Sequence, residues 1–340
     1  MDPRRDRAIG SLLGLVAGDA LGVPLEFQKR DSRPLVSDLI GGGPFGLKPG
    51  EWTDDTAMAL CLAESLLAHP DLDPRDLMER FVRWWKKGEN SATGTCFDIG
   101  NATRAALERF RKNGDPMAGS EDPMDAGNGS IMRLAPVAIR WHGSPDRAAA
   151  IARLQSQTTH AAPACLDACE LLARVLVAAI GGAGKAALLQ PARPGWLAEI
   201  TQIAAGRWRD KQRAQIRSSG YVVDTLEAAF WCVARSEDAR AALILAANLG
   251  QDADTVAAGW TSSSAGTPIK HDFISLNFFI GDKTCIISRA RRQEIYSCKQ
   301  GWFFFEKKNQ KTFPRRLSPM ATAEWEKVIS RHRKAARRAE

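Results

Sequence analysis

Apolar residues recur at helical spacing through most of the first 258 positions, and the strict alternation of a half-buried strand is scarce. Residues 5–20 set Ile9, Leu12, Leu13 and Val16 beside Ala8, Gly10, Gly14, Ala17 and Gly18. A helix accepts that many glycines, each costing about 1 kcal/mol relative to Ala, where close approach of a neighbour repays the loss. Residues 53–67 form the next helix, with Thr53 as its expected N-cap and Asp54 and Asp55 in its first turn. Asp73-Pro74 starts another, running to about Lys87 and burying Leu77, Met78, Phe81, Trp84 and Trp85. Further helices are predicted over residues 98–110, 144–154, 163–180, 224–234 and from the Ser236-Glu237-Asp238 cap to Gly250.

The pattern changes after Ala258. The Gly/Ser/Thr-rich stretch 259–268 leads into a segment with Phe278-Phe279, Trp302-Phe303-Phe304-Phe305 and clustered Arg and Lys, in which only residues 322–336 read as a basic helix. Two regions are therefore expected: residues 1–258, and a divergent, poorly ordered tail of residues 259–340. Charge follows the same division. The whole chain carries +8, but the tail has 17 Lys/Arg against 7 Asp/Glu, or +10, which leaves 30 against 32, or −2, for the body. The body has no electrostatic case for a polyanion; nucleic-acid contact would fall to the tail, as a minor alternative.

Seven scattered cysteines with no C-x-x-C pair point to a reducing setting rather than a disulfide framework. Residues 1–7 are charged, and the apolar stretch after them is interrupted by Asp19 and repeated Gly. The expectation is a cytoplasmic protein without a signal peptide, a membrane span or membrane contact.

Two acidic, hydroxyl-bearing clusters organise the chemistry: Thr53-Asp54-Asp55-Thr56, and Asp252-Ala253-Asp254-Thr255 far downstream. Each stands beside a helix start. Capping alone would account for either; as a facing pair they could share hard divalent cations, which favour oxygen ligands. Glu26, after the Gly22-Val23-Pro24 turn, and Asp98, before Ile99-Gly100, are further acidic candidates, with capping as the alternative for Asp98. Gly127-Asn128-Gly129-Ser130 precedes a helix start and offers backbone N–H groups to an anion, without the spacing of a dinucleotide or P-loop motif. His160 sits at a helix junction, where packing is the commoner role, and Tyr221 follows Ser218-Ser219-Gly220. Cys165 and Cys169, four apart, read as core.

In order along the chain, Gly18-Asp19-Ala20-Leu21-Gly22 with Glu26, Trp52-Thr53-Asp54-Asp55-Thr56, Asp98-Ile99-Gly100, Gly127 to Arg133, Thr159-His160, Ser219-Gly220-Tyr221 and Asn248 to Thr255 resemble the ADP-ribosylglycohydrolase family. The resemblance implies an all-α, compact orthogonal multi-helix bundle, here with an atypical C-terminal tail. It implies two Mg2+ or Mn2+ ions held by Thr53, Asp54, Asp55, Asp252, Asp254 and Thr255. It places Glu26, Asp54, Asp55 and Asp98 in the catalytic centre, with either Asp98 or Glu26 as general base. Gly127, Asn128, Gly129 and Ser130 would meet the diphosphate, His160 the ribose or phosphate, and Tyr221 the adenine. The implied reaction is release of ADP-ribose from an ADP-ribosylated protein or an ADP-ribose derivative, by a monomer, with arginine as the linked residue. Alternatives are serine or another O-linkage, and a catalytically weakened ADP-ribose-binding protein, since the tail replaces the small-residue helix that would back the second cluster.

Overall fold

The computed structural model describes residues 2–191 and 195–258, and the backbone of residues 277–280, 283–286, 288–290, 293–298 and 301–304. The expected helix at 322–336 and the stretch 259–268 lie outside the described residues. The chain divides into two units, Met1–His271 and Asp272–Glu340.

Among its described residues the first unit is all-α. Its helices are α1 (Pro3–Gly22), α2 (Asp54–Ala68), α3 (Pro74–Lys87), α4 (Asn101–Asn113), α5 (Ala135–Arg140), α6 (Pro145–Gln157), α7 (Pro163–Gly181), α8 (Lys185–Leu188), α9 (Ala198–Ala205), α10 (Val222–Arg235), α11 (Ala239–Ala247) and α12 (Ala253–Ala258). The second unit contains β1 (Asn277–Ile280) paired antiparallel with β2 (Lys283–Ile286), and an antiparallel set β3 (Ser288–Ala290), β4 (Gln293–Cys298) and β5 (Gly301–Phe304). Strands there were not among the features read from the sequence.

Local chemistry sets the helix ends. At α3, Asp73 accepts a hydrogen bond from the Arg75 N–H, Pro74 occupies the first helical position and Gly88 closes the helix in the left-handed conformation. Leu77, Met78, Phe81 and Trp84 are buried. Trp85 is a correction: it lies off the core face, half-buried, with the Lys86 ammonium 3.3 Å from its ring centroid. Helix α7 is buried almost all round and packs against α1, α5, α6, α9 and α10, which explains its near-continuous apolar sequence.

Helix α1 is the second central element. By length and composition alone Pro3–Leu25 could cross a membrane, even with Asp19 interrupting it, but 67% of its most apolar window is buried within the protein. It packs on α12, α11, α7, α2 and α5. Its glycines serve the close approach expected of them. A Cβ on Gly22 would fall 2.3 Å from Asp254 Cα, and one on Gly18 would fall 2.4 Å from the Ala257 carbonyl oxygen. The start of α12, which carries Asp254, is thus pressed directly onto the α1 backbone.

This contact yields a paired test. Gly22→Ala is expected to cost about 1–3 kcal/mol in chemical denaturation, because backbone must move. Gly10→Ala, in the same helix but with nothing within 4 Å, should instead be neutral or gain about 0.5–1 kcal/mol. Equal effects at the two positions would contradict the packing described.

Candidate functional site

The site is assembled from the ends of α1, α2 and α12 and the loops that follow α1 and precede α4, α5 and α7. Asp19, fully buried on α1, caps α2 from a distance: its Oδ1 accepts from the Thr53 N–H and hydroxyl, both at 2.9 Å. Its Oδ2 accepts from the Thr56 N–H at 3.0 Å and the Thr56 hydroxyl at 2.6 Å. Thr53 holds the N-cap position as expected, but its side chain does not cap the helix. The cap comes from a residue 34 positions away, beyond the reach of any local signal.

With its one proton directed at Asp19, the Thr53 hydroxyl still lies 3.3 Å from Asp254 Oδ2 and 3.4 Å from Asp55 Oδ2. The Thr255 hydroxyl reaches Asp55 Oδ2 at 3.3 Å. Asp55 Oδ1 is buried and has no hydrogen-bond partner among the described residues. The two acidic clusters, about 200 residues apart in sequence, therefore touch.

Glu26 reaches the same place through a short parallel bridge to Gln251: the Phe27 N–H donates to the Gln251 carbonyl at 2.7 Å, and the Gln251 N–H to the Gln28 carbonyl at 2.8 Å. Arg30 braces this junction by donating to the carbonyls of Leu249, Arg213 and Ile216. Glu26 Oε2 accepts from the Ala253 N–H at 3.0 Å. One oxygen each from Glu26, Asp252 and Asp254 lie within 4.8 Å of one another, a set suited to a hard divalent cation.

A cavity of about 480 Å³ opens over this cluster. Asp54, Asp98, Glu26, Asp252, Asp254 and Thr255 line one part, and Gly127, Asn128, Gly129, Met132 and His160 another. Phe27, 65% exposed, stands at its edge, in edge-to-face contact with Phe45, which packs on Phe97. Asp98 does not cap α4, whose N-cap is Gly100. Asp98 has φ 51°, a left-handed conformation that costs about 1–2 kcal/mol in a non-glycine residue. A second concavity, of about 440 Å³, is lined by Pro24, Leu35, Val36 and Ile40, with Arg33 as its one charged group, and offers no comparable chemistry.

Other expected residues are placed differently. The Asn128 side chain donates to Asp252 Oδ2 at 3.1 Å and to the Thr225 hydroxyl at 2.8 Å, so it orients a carboxylate. Ser130 is wholly buried, with its hydroxyl 2.9 Å from that of Ser156, away from the cavity lining. The Tyr221 hydroxyl donates to Glu199 at 2.9 Å; its backbone pairs with Gly127, but it does not line the cavity.

Burial dominates the electrostatics. It raises the pKa of Asp54 and Asp55 well above the usual carboxyl value, with help from neighbouring carboxylates, and raises that of Asp19 and Asp252. Burial and the charge of Asp254 raise Glu26. Asp98 is pushed up to about 8 by burial and then Asp254, and Asp254 to about 7 by burial. A cation would relieve this repulsion and meet the orphaned oxygen of Asp55.

The sign follows from linkage. A carboxyl with a raised folded-state pKa stabilises the fold fully below its ordinary value near 3.8, and that contribution is lost as pH rises through about 7 at Asp254 and about 8 at Asp98. Scanning fluorimetry of the cation-free protein should show its Tm falling between about pH 5 and about pH 8, and Mg2+ or Mn2+ should raise Tm more at the higher pH. A gain that is the same at both would contradict the site.

The family model for the ADP-ribosylglycohydrolases matches residues 1–259. An ADP-ribosylarginine hydrolase of Serratia proteamaculans is 48% identical over 253 residues, covering 74% of this chain and 69% of that protein. One of Pseudomonas putida is 51% identical over 253 residues, covering 74% and 68%. The ADP-ribosyl-[dinitrogen reductase] glycohydrolase of Rhodospirillum rubrum is 34% identical over 257 residues, covering 74% and 82%. A solved structure described as an ADP-ribosylglycohydrolase-related protein complex superposes with a TM-score of 0.71 at 40% identity, covering 80% of this chain and 92% of that one. With the helical bundle and the acidic cavity already in place, these matches establish that the chain belongs to the ADP-ribosylglycohydrolase family, as a metal-dependent hydrolase acting on an ADP-ribosyl substrate.

Proposed function

We propose that the protein hydrolyses the bond between ADP-ribose and an arginine side chain of a modified protein, using two divalent cations. The observation that carries this reading is the convergence of Glu26, Asp252 and Asp254 within 4.8 Å, in a cavity that Asp54 and Asp98 also line. Thr53, Asp54, Asp55, Asp252, Asp254 and Thr255 would hold the ions, and Glu26 joins them from the other side. Bound there, Mg2+ or Mn2+ would polarise a water molecule and hold the ribose diol.

The chain's own groups do the rest. Asp98, on the cavity wall, takes the proton of the attacking water as its oxygen bonds the anomeric carbon and the carbon–nitrogen bond to the guanidino group breaks. The proton that Asp98 received then passes to the departing guanidine, so that the elements of water are added across the broken bond. Asn128 holds Asp252 in place, while the backbone of Gly127 and Gly129 and the His160 ring face the diphosphate and ribose. Tyr221, held by Glu199, stays outside this assignment.

Two points favour arginine. The relatives in Serratia proteamaculans and Pseudomonas putida are described as ADP-ribosylarginine hydrolases. The cavity edge also sets carboxylates beside the Phe27 ring, which Phe45 and, behind it, Phe97 support, a combination suited to a planar cation.

Purified protein is expected to release ADP-ribose from an arginine-linked substrate with Mg2+ or Mn2+, faster than from a serine-linked one. Asp54→Asn or Asp254→Asn should lower the rate by more than about 100-fold, as should chelation. Release indifferent to both changes would remove the proposed site. Phe27→Ala should raise KM for the arginine-linked substrate about 3- to 10-fold with little change in kcat, the size of a lost cation–π contact. An unchanged KM would leave the arginine preference without its aromatic support.

A further inference from the structure

We propose that Arg133 and Thr159 act as positioning residues that fix His160 as a neutral imidazole protonated at Nε2, so that one N–H donor points into the cavity and takes an oxygen of the ADP-ribose diphosphate. The identity of the ligand rests on the function proposed above; the relay itself does not.

Arg133 is fully buried, and its hydrogen bonds among the described residues go to neutral groups, including a weak one from Nη1 to the Met58 sulfur at 3.8 Å. Its Nε donates to Gln155 Oε1 at 2.8 Å and its Nη2 to the Gln155 carbonyl at 3.1 Å, while its guanidinium lies 4.6 Å from the Phe81 ring centroid. Burying an unpaired guanidinium is costly, and packing alone would be served as well by an apolar side chain. The remaining contact gives the charge a use: Nη2 also donates to the Thr159 hydroxyl at 2.8 Å.

Proton accounting favours one tautomer. A guanidinium can only donate, so the Thr159 oxygen is the acceptor in that bond. The buried hydroxyl has one proton, and His160 Nδ1, at 2.8 Å, is the one acceptor that the described residues offer it. Were Nδ1 protonated, that hydroxyl proton would be left unpaired; Nδ1 as acceptor, with the ring proton on Nε2, satisfies both groups. Burial and the nearby Arg133 charge lower the His160 pKa to about 3, which agrees with a neutral ring.

The backbone and the glycines aim that donor. The His160 N–H donates to the Ser156 carbonyl at 2.6 Å, and the Ser156 hydroxyl donates to the His160 carbonyl at 2.7 Å. A Cβ on Gly129 would fall 2.7 Å from His160 Cε1 and 3.0 Å from Nε2, so the imidazole lies directly on the glycine loop. His160 is 3% exposed and lines the cavity, and Nε2 has no hydrogen-bond partner among the described residues. An uncommitted N–H on the cavity wall beside backbone amides suits an anionic oxygen.

The test uses the full chain. Long-range 1H–15N correlation, with the signal assigned by its loss in His160→Asn, should show His160 without ligand as the Nε2–H tautomer. Thr159→Val keeps the side chain's shape and removes its hydroxyl; it should mix the tautomers and weaken ADP-ribose binding about 5- to 20-fold by calorimetry, while Mn2+ affinity stays unchanged. Thr159→Ser should restore both properties. A wild-type ring protonated at Nδ1, or a Thr159→Val protein with an unaltered tautomer, would overturn the relay. Unchanged ADP-ribose affinity despite mixed tautomers would overturn the ligand contact. Wild-type protein that binds no ADP-ribose would bring down the functional reading instead, and the tautomer measurement would still decide the relay.

Discussion

Like-charged carboxylates buried together are the constraint that shapes this molecule. Asp55 and Asp254 are almost fully enclosed, Glu26 nearly so, and Asp54, Asp98 and Asp252 complete the group around one cavity. Two unit charges 4 Å apart repel by about 4 kcal/mol at an effective dielectric of 20. The positive end of α2 returns only about 1 kcal/mol. The cluster can therefore exist only with bound protons or bound cations, and the fold must be rigid enough to hold it in either state. Its natural chemistry is the capture of hard cations, because protonation would spend the oxygens that a ligand needs.

The scaffold provides that rigidity through contacts made by backbone as much as by side chains. Gly22 lets α1 lie against the first turn of α12, so Asp254 cannot retreat from its neighbours. Asp19, on the same helix, satisfies both N–H groups and both hydroxyls at the start of α2, which fixes Thr53 and sets the direction of Asp55. The Glu26–Gln251 bridge ties the loop after α1 to the segment entering α12. One helix therefore positions parts of the site that stand about 200 residues apart. Strain at Asp98 and Phe27, both at left-handed φ, is borne by the same framework.

What could be read from the sequence follows the range of each interaction. Helix α3 was legible end to end because Asp73, Pro74 and Gly88 act within a few residues of their own positions. The two Asp/Thr clusters were legible as a pair because they share one pattern. Trp85 was misjudged because α3 buries a narrower stripe than its aromatic content suggests. Asp19 and Arg133 gave no signal beyond their place in the family motifs, since their partners are remote or depend on the ring beside them. For Asp98 the sequence left a capping role open beside a catalytic one, because the backbone turn that frees it from α4 is invisible to composition. The strands between residues 277 and 304 lay within a segment read only as lacking helical periodicity.

Seen as a whole, the cavity has two halves of opposite character. Its floor is a group of carboxylates that attracts cations; its far wall is built from Gly127, Gly129 and His160, with the Arg133 charge two hydrogen bonds behind the ring. A ligand with a sugar diol at one end and phosphates at the other meets opposite fields along its length, and orientation follows from that polarity before any single contact is made. Placing Arg133 behind His160 rather than in the cavity has a physical advantage. A guanidinium in the open cavity would pair with Asp54 or Asp98 and compete with the cations; behind the wall, its charge reaches the ligand only through the Thr159 hydroxyl and a neutral N–H. Under the proposed function, the same separation would keep acid and base chemistry at the carboxylates and leave recognition to groups that do not titrate near neutral pH.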